Sequence, residues 1–248
     1  MRIAVAGATG VVGRHVVTEL GRRGHDVVPL SRSHGVDVTQ FDGLADRLAG
    51  ADAVIDTLGI ATTRRRPATA FFTTTTRNLL EAEGLAGVGR HVLLSIVGID
   101  GSGFGYYRAK VAQEDVARTL DTSTIILRAT QFHEFAEQML ERAKVGPVVV
   151  VPHMRSATVA AAEVAAALVD LAENPRPGTV EMGGPEKHDM PDLVRRVAEA
   201  RGVHVRVVAV KVPGAAGRAM TDGSLIPRHP WRTGTQTFSD WLAPGTHL

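Results

Sequence analysis

Cysteine is absent from this 248-residue chain, and aromatic residues make up only 4% of it. Without cysteine, the protein has no disulfide scaffold, no thiolate metal site and no cysteine nucleophile. The low aromatic content argues against stacking platforms for sugars or for single-stranded nucleic acid. The 10 histidines form neither an H-x-x-x-H pair nor an H-E-x-x-H motif, so we predict no metal site.

Long hydrophobic runs and an excess of one charge are also missing. The 28 Lys and Arg residues nearly balance the 26 Asp and Glu residues, which argues against a nucleic-acid partner. No stretch reaches the ~20 apolar residues needed to cross a bilayer. Glycines interrupt the apolar N-terminal run 3–13, and this suits a turn better than a signal peptide. We therefore expect a cytoplasmic protein without membrane contact.

Tyrosine and lysine are rare, and three of these few residues lie close together. The chain has 2 tyrosines, the adjacent Tyr106 and Tyr107, and only four lysines. Lys110 follows Tyr106 by four residues, so the two side chains share one face if this segment is helical.

Short β-branched runs alternate with helical patterns along the first half of the chain, which predicts a parallel sheet covered by helices on both faces. The predicted strands are 3–6, 26–30, 35–38, 51–57, 91–97 and 123–127. The first predicted helix follows the first strand and ends near residue 23, and the others span 41–48, 68–83 and 106–120. The second half has predicted helices at 132–143, 160–173 and 191–202, strands at 148–151, 180–182 and 203–210, and an irregular tail rich in glycine and proline. We expect residues 1–130 to form a first domain and residues 131–248 a smaller region interwoven with it.

A glycine-rich segment, Gly7-x-x-Gly10-x-x-Gly13, joins the first predicted strand to the first helix. Gly7 permits the tight turn, Gly10 lets a pyrophosphate approach the backbone, and Gly13 lets helix and strand pack closely. Unpaired backbone N–H groups and the helix dipole then favour an anion. The segment predicts a dinucleotide-binding loop, with further cofactor contacts from Thr9, Val11 and Val12.

Ser31 and Arg32 follow the second predicted strand, where a dinucleotide fold reads the adenosine ribose. An acidic residue there would bind the 2′-hydroxyl, whereas an arginine with flanking serines suits a 2′-phosphate. We therefore predict NADP(H) as the preferred cofactor and NAD(H) as the alternative. In a chain this rich in arginine, the competing interpretation is an ordinary surface arginine.

Four features in chain order carry a family resemblance: the glycine motif, the segment 57–59 after a strand, Ser95 at the end of the next strand, and Tyr106-x-x-x-Lys110. With them the chain resembles the short-chain dehydrogenase/reductase superfamily over nearly its whole length. It looks closest to the atypical or extended, NmrA-like branch. The resemblance implies an α/β fold with a Rossmann-type doubly wound parallel sheet and a small C-terminal substrate-binding region.

The resemblance also implies the roles of the catalytic residues. Tyr106 would exchange a proton with the substrate while the nicotinamide exchanges a hydride. Lys110 would lower the phenol pKa from ~10 towards the working pH and hold the nicotinamide ribose. Tyr107 is the competing proton donor. Ser95 would orient the substrate carbonyl.

The residues after Ser95 depart from the family pattern. Ile96 and Val97 stand where many extended members carry further hydroxyl residues. Ser95 is therefore either catalytic or limited to contact with the cofactor and to structure, and Ser102 is its possible substitute.

Further contacts follow from the resemblance alone. Asp37 and Val38 would flank the adenine, and Thr57, Leu58 and Gly59 would pass under the ribose and the nicotinamide. Gln131, Phe132 and His133 would line the substrate pocket, with His133 either a second acid/base or a hydrogen-bonded structural histidine.

The leading hypothesis is an NADP(H)-dependent oxidoreductase, monomeric or homodimeric, that reduces a carbonyl or a conjugated double bond of a small organic substrate. One alternative is a non-catalytic NAD(P)-binding redox sensor. The other is a sugar-nucleotide epimerase or dehydratase with a retained cofactor. The pair Tyr106 and Lys110 favours catalysis over the sensor, and the short chain disfavours the epimerase.

Overall fold

The computed structural model describes residues 1–121 and 123–243. The strands are β1 (Arg2–Ala6), β2 (Asp26–Leu30), β3 (Ala53–Asp56), β4 (His91–Ile96), β5 (Ile125–Ala129), β6 (Lys144–Val145), β7 (Val148–Pro152), β8 (Arg155–Ser156), β9 (Gly178–Gly183), β10 (His188–Asp189), β11 (Arg206–Val210) and β12 (Arg232–Thr233). The helices are α1 (Gly13–Arg22), α2 (Leu44–Leu48), α3 (Arg65–Ala86), α4 (Gly105–Leu120), α5 (Glu134–Arg142), α6 (Ala161–Glu173), α7 (Met190–Ala200), α8 (Gly214–Thr221) and α9 (Phe238–Leu242).

A seven-stranded parallel sheet, flanked by helices, has the order β12-β9-β5-β4-β3-β1-β2. Strand β1 pairs with β2 on one side and with β3 on the other, with Ile3 opposite both Val27 and Ala53. Ile3, Ala4, Val5 and Ala6 are all 0% exposed, as expected for a parallel strand covered on both faces. The predicted Rossmann-type α/β fold class is confirmed.

The strand predicted at 35–38 is wrong. These residues follow a 3₁₀ turn at Arg32–His34 and run as a loop. Gly35 takes a φ of +73°, and the Asp37 carboxylate accepts a hydrogen bond from the backbone N–H of Thr39 at 3.0 Å. Val36 and Val38 are buried against the core beside β1, so their burial produced an apolar pattern without a strand.

Three boundaries in the helical layer also differ from the prediction. Helix α2 begins only at Leu44, because Gly43 before it takes a φ of +78°. Helix α3, at Arg65–Ala86, extends three residues beyond each end of the predicted helix 68–83. The tail expected to be irregular contains α8 and α9, and α9 starts with a capping box between Thr237 and Asp240.

The chain divides into two compact units. Unit 1 comprises Met1–Ser95, Phe104–Arg128 and Ala162–Val180. Unit 2 comprises Ile96–Gly103, Ala129–Ala161 and the chain from Glu181 onward, and it contains the small sheet β11-β7-β6 and the pair β10-β8. None of the helices in the described ranges combines the length and the apolarity that a bilayer crossing requires.

Candidate active site

The glycine motif forms a tight turn between β1 and α1. Gly7 takes a φ of +79°, and its N–H donates to the carbonyl of Leu30 at 3.0 Å. A Cβ on Gly13 would lie 2.0 Å from the Gly7 carbonyl oxygen, a distance that no side chain tolerates. Both positions therefore require glycine for the turn and for the helix to pack against the strand.

The space above this turn fits the pyrophosphate of a dinucleotide. Gly10 is exposed, and a Cβ there would point into the turn 3.1 Å from the Gly7 carbonyl oxygen. Within the described residues, no side chain caps the N-terminus of α1 at Val12. Free N–H groups at a helix N-terminus bind anions, so Thr9, Val11 and Val12 lie beside a suitable cradle.

Residues 57–59 support this turn from the end of β3. The Thr57 hydroxyl donates to the carbonyl of Ala6 at 2.8 Å, and it lies 2.9 Å from the position of a Cβ on Gly13. Leu58 donates its backbone N–H to the buried carboxylate of Asp56 at 2.9 Å. Gly59 follows, adjacent to the Tyr106 side chain.

Arg32 lies exposed at the end of β2, next to Ser31 and Ser33. The Ser31 hydroxyl is within hydrogen-bond distance of Ser33 Oγ, at 2.9 Å, and of His34 Nδ1, at 2.7 Å. Hydrogen bonds from the backbone N–H and the hydroxyl of Thr39 lower the pKa of Asp37. Burial opposes this change, and Arg32 adds a smaller lowering effect. The end of β2 thus presents a cation and two hydroxyls, which matches the donor set expected for a phosphate.

Asp37 and Val38 lie in the loop that replaces the predicted third strand. Asp37 is exposed, while Val38 is buried and its carbonyl accepts a hydrogen bond from the Asn78 side chain at 3.0 Å. An apolar side chain next to an exposed carboxylate is compatible with a flat ligand ring against this loop.

The Tyr106 hydroxyl lies against the loop that follows β3. Its oxygen is 3.9 Å from the position of a Cβ on Gly59 and accepts a hydrogen bond from the backbone of Ile60. The ring packs edge-on against Phe72, with centroids 5.4 Å apart. Burial raises the Tyr106 pKa above its ordinary value, and the Ile60 hydrogen bond only partly opposes this rise.

This pKa direction corrects the expectation from the sequence. Lys110 was expected to lower the Tyr106 pKa, but the loss of hydration on burial is the larger effect and Lys110 makes its hydrogen bonds elsewhere. A raised pKa keeps the phenol protonated at neutral pH, as a proton donor requires.

Tyr107 faces a different environment. It is 4% exposed and packs edge-on against Phe104, with ring centroids 5.1 Å apart. Burial, followed by the proximity of Tyr106, raises the Tyr107 pKa far above its ordinary value. Tyr106 is therefore the more accessible of the two phenols.

Lys110 is buried beneath Tyr106 on the same helix. Its ammonium donates to the carbonyl of Leu94 at 2.7 Å and to the side-chain oxygen of Gln113, and it lies 4.7 Å from the centre of the Phe72 ring. Burial lowers the Lys110 pKa to about 8, although the carboxylates of Asp56 and Glu114 act in the opposite direction.

Ser95 takes part in a buried ionic cluster around Glu114, one helical turn after Lys110 on α4. Its hydroxyl donates to Glu114 at 2.5 Å. The same carboxylate accepts from Arg128 at 2.7 Å and from Arg118 at 2.8 Å. Glu114 is 0% exposed, so the cluster balances a charge that burial alone would disfavour.

The three residues expected to contact substrate lie in unit 2. His133 is 1% exposed, with Nδ1 2.9 Å from the Thr158 hydroxyl and Nε2 3.2 Å from the carbonyl oxygen of Gln236. Phe132 forms a β-bridge with Val159, next to Gln131. The structure thus makes His133 a hydrogen-bonded core histidine, the second of the two interpretations open from the sequence.

Unit 2 also contains a cavity of about 640 Å³ with a polar lining. Its walls include Glu181, Asp222, Ser224, Arg228 and His229. The wall at Ser224 packs closely against the backbone of Gly98, because a Cβ on Gly98 would lie 1.9 Å from the carbonyl oxygen of Ser224. Across the described chain, no group of three or more His, Asp or Glu side chains is arranged to hold a metal ion.

Sequence reasoning missed Gln113 and Asp56. Gln113 accepts a hydrogen bond from Lys110 and donates one to Asp56, and the Asp56 carboxylate raises the Lys110 pKa electrostatically. The available signal was spacing: Gln113 follows Lys110 by three residues and thus shares its helix face, and Asp56 ends a strand at the edge of the sheet where the glycine turn lies.

The strand order and the glycine turn after β1 define a Rossmann-type fold of the kind that binds dinucleotides. Residues 33–175, more than half of the chain, match the family described as NAD(P)H-binding, and the chain belongs to that family.

Known relatives are reductases. The ceramide reductase of Caulobacter vibrioides (strain NA1000 / CB15N) is 27% identical, over 96% of this chain and 80% of the relative. A dTDP-4-dehydrorhamnose reductase ortholog from Clostridium acetobutylicum superimposes with a TM-score of 0.75 at 16% identity, covering 92% of this chain and 90% of the other. The dTDP-4-dehydrorhamnose reductase from Bacillus anthracis, solved in complex with NADP, gives 0.69 at 16% identity, with 84% of each chain covered. This chain shares the fold of these structures and belongs to the NAD(P)H-binding family.

Proposed function

We propose that the protein is an NADP(H)-dependent oxidoreductase that reduces a carbonyl or a conjugated double bond of a small organic molecule. The observation that carries this proposal is the position of Tyr106, whose hydroxyl lies at the Gly59–Ile60 loop after β3 and which shares a helix face with Lys110. A phenol kept neutral at working pH is equipped to give a proton to a substrate oxygen.

The cofactor sites follow from the residues that fit them. The pyrophosphate would be held by the backbone of Gly7, Gly10 and Gly13 together with Thr9, Val11 and Val12. Ser31 and Arg32 would hold the 2′-phosphate, Asp37 and Val38 would flank the adenine, and Thr57, Leu58 and Gly59 would lie under the ribose and the nicotinamide. When bound, the reduced cofactor supplies the hydride.

Tyr106 gives its phenolic proton to the substrate oxygen as that oxygen gains negative charge. The Ile60 hydrogen bond to the Tyr106 oxygen then stabilises the phenolate that remains. Lys110, charged below a pH of about 8, adds a positive charge from the same helix face, while its ammonium stays bonded to Leu94 and Gln113. In the reverse direction Tyr106 takes the proton back.

Ser95 has a separate role in this proposal. Its hydroxyl already donates to Glu114, so we assign it to holding the Glu114–Arg128 ion pair rather than to proton transfer. The ionic cluster holds α4 against β4 and β5. Because Tyr106 lies on α4, the cluster also positions its hydroxyl relative to the Gly59–Ile60 loop.

The names of the relatives suggest which substrates to test. One relative is named a ceramide reductase, and two of the similar structures are named dTDP-4-dehydrorhamnose reductases. A screen for turnover therefore includes long-chain keto-amides, keto-sugar nucleotides, simple ketones, enones and quinones.

Substitution of Tyr106 by phenylalanine tests the proposal. We expect Tyr106→Phe to lower kcat by about 10²–10⁴-fold, because the proton donor is lost, while the NADPH dissociation constant changes by less than about twofold. Stopped-flow loss of NADPH absorbance gives the first quantity, and quenching of protein fluorescence gives the second.

Tyr107→Phe is the matched control, because it removes the neighbouring hydroxyl from the same helix turn. It should keep most of the activity. A Tyr106→Phe variant as active as the wild type would refute the proposal. Tight NADPH binding with no turnover of any compound in the screen would favour the redox-sensor alternative.

A further inference from the structure

The Gln113 side chain connects three elements in the interior of unit 1. It lies on α4 and is 0% exposed. Its amide nitrogen donates to the hydroxyl of Thr76 on α3 at 2.8 Å and to the carboxylate of Asp56 on β3 at 3.2 Å. Its amide oxygen accepts a hydrogen bond from the Lys110 ammonium.

Chemistry leaves this amide only one orientation. The ammonium of Lys110 only donates and the ionised carboxylate of Asp56 only accepts. The amide oxygen of Gln113 must therefore face Lys110, and its nitrogen must face Asp56. A flipped amide would set two donors against each other and two acceptors against each other in a side chain that is 0% exposed.

The Lys110 ammonium is held on all sides. One proton goes to the Leu94 carbonyl and one to Gln113, and the ring of Phe72 lies 4.7 Å from the nitrogen. The titratable and charged groups around it are Asp56 on β3 and Tyr106 and Glu114 on α4, and Glu114 is in turn paired with Arg118 and Arg128.

We propose that Gln113 is a positioning residue that fixes the place and the direction of the Lys110 ammonium by anchoring it to Asp56 and Thr76. The role of Lys110 in the reaction rests on the proposed function, but its attachment to Gln113 does not. Gln113 touches neither substrate nor cofactor in this scheme and acts through Lys110.

Two substitutions of similar size should move the titration of Lys110 in opposite directions. Gln113→Met removes the acceptor, so the ammonium loses a stabilising partner and the titration midpoint falls. Gln113→Glu puts a carboxylate next to the ammonium, so the midpoint rises by about one pH unit. A residue that merely filled space would give no such pair of opposite shifts.

The scarcity of lysine makes the measurement direct. With only four lysines in the chain, ¹³C-lysine labelling of the cofactor-free protein gives few side-chain NMR signals, and Lys110→Met identifies the one to follow. Wild-type Lys110 should titrate near a pH of about 8. Thr75→Val, which removes a buried hydroxyl one residue from Thr76 but outside the network, should leave that midpoint in place.

Thr76→Val provides a second route if a Gln113 variant does not fold. It removes one of the two acceptors of the Gln113 amide nitrogen, and the midpoint should fall in the same direction as in Gln113→Met, by a smaller amount. Lys110 midpoints within about 0.2 pH unit of the wild type in every folded Gln113 and Thr76 variant would overturn the proposal.

Turnover adds an independent readout. The pH at which kcat falls on the alkaline side should shift with the NMR midpoint, with KM for the substrate nearly unchanged. If Tyr106→Phe is fully active, the proposed function fails, yet the NMR titration still decides the role of Gln113. If the Gln113 variants shift neither the NMR midpoint nor the pH profile, the positioning role fails while the oxidoreductase proposal stands.

Discussion

Tyr106 and Lys110 share one face of α4, yet burial acts on them in opposite ways. It penalises the charged form of each group, so it raises the pKa of the phenol and lowers that of the ammonium. Between neutral pH and about 8, the pair consists of a neutral donor and a nearby cation. These are the protonation states that the proposed reduction uses, and Lys110 does not have to lower the Tyr106 pKa to produce them.

Arg32 offers a test of cofactor choice at the scale of one side chain. Arg32→Ala should weaken NADPH binding by roughly 10-fold or more, because it removes a charge-assisted partner of the 2′-phosphate, while NADH binding changes little. Fluorescence titration with each cofactor measures the ratio of the two dissociation constants. Arg47→Ala, another exposed arginine of unit 1, is the control for a general loss of charge, and an unchanged ratio in Arg32→Ala would refute the NADP(H) preference.

The sequence was informative for residues whose role depends on local spacing. The glycines of the turn and the pair Tyr106 and Lys110 are separated by three or four positions, and helix and turn geometry bring such residues together. The contact of Gln113 with Asp56 joins positions 57 residues apart, and the burial that sets both pKa shifts depends on α3 packing over α4. Neither is visible before the chain is folded.

At the scale of secondary structure, Arg23 connects two helices that flank the sheet. It follows α1 directly and makes ion pairs with Glu19 at 2.7 Å and with Asp170 and Glu173 of α6 at 2.6 Å each. The Arg23 side chain is 20% exposed. One guanidinium thus bridges three carboxylates and reduces the repulsion among them.

Arg23→Met keeps the aliphatic stem and removes the charge, and it should lower the free energy of unfolding by about 1–2 kcal/mol at neutral pH. The hydrogen bond from Arg22, with contributions from Arg23, lowers the Glu19 pKa from 4.5 to about 2. Stability from this carboxylate is therefore present above a pH of about 4.5 and is lost as the pH falls towards 2.

Urea unfolding from pH 7 to pH 2.5 measures this effect. The difference between wild type and Arg23→Met should shrink on the acidic side. Arg22→Met is the matched control, since Arg22 is far more exposed and pairs with Glu19 alone, and it should cost less. A loss in Arg23→Met that is constant with pH would contradict the electrostatic origin.

The errors in predicted elements share one physical cause. Val36 and Val38 are buried by a loop with a left-handed glycine, and α8 and α9 form in a segment whose glycines and prolines had suggested irregular structure. In each case tertiary packing decided the conformation where local propensity was weak. The central strands β1, β3, β4 and β5, by contrast, are apolar over most of their length, and this pattern is independent of distant contacts.

At the scale of the whole molecule, cofactor binding should appear as stability. A ligand that binds only the folded chain stabilises it by about 2.7 kcal/mol when present at 100 times its dissociation constant. For a chain of this size that corresponds to a rise in Tm of roughly 5–10 °C. Calorimetry with and without NADPH measures the rise.

Two glycine variants separate the stability of the fold from the binding of the cofactor. A Cβ on Gly10 would meet only the Gly7 carbonyl oxygen, at 3.1 Å, so Gly10→Ala should fold with a Tm close to that of the wild type. We expect the added methyl group to keep a pyrophosphate from approaching the backbone here, so the rise in Tm with NADPH should be largely lost. A Cβ on Gly13 would lie 2.0 Å from the same oxygen, so Gly13→Ala must move the backbone and should lower the Tm without any ligand. If Gly10→Ala retains the full NADPH effect, the pyrophosphate does not bind at this turn, and the cofactor assignment of the whole first unit would have to be abandoned.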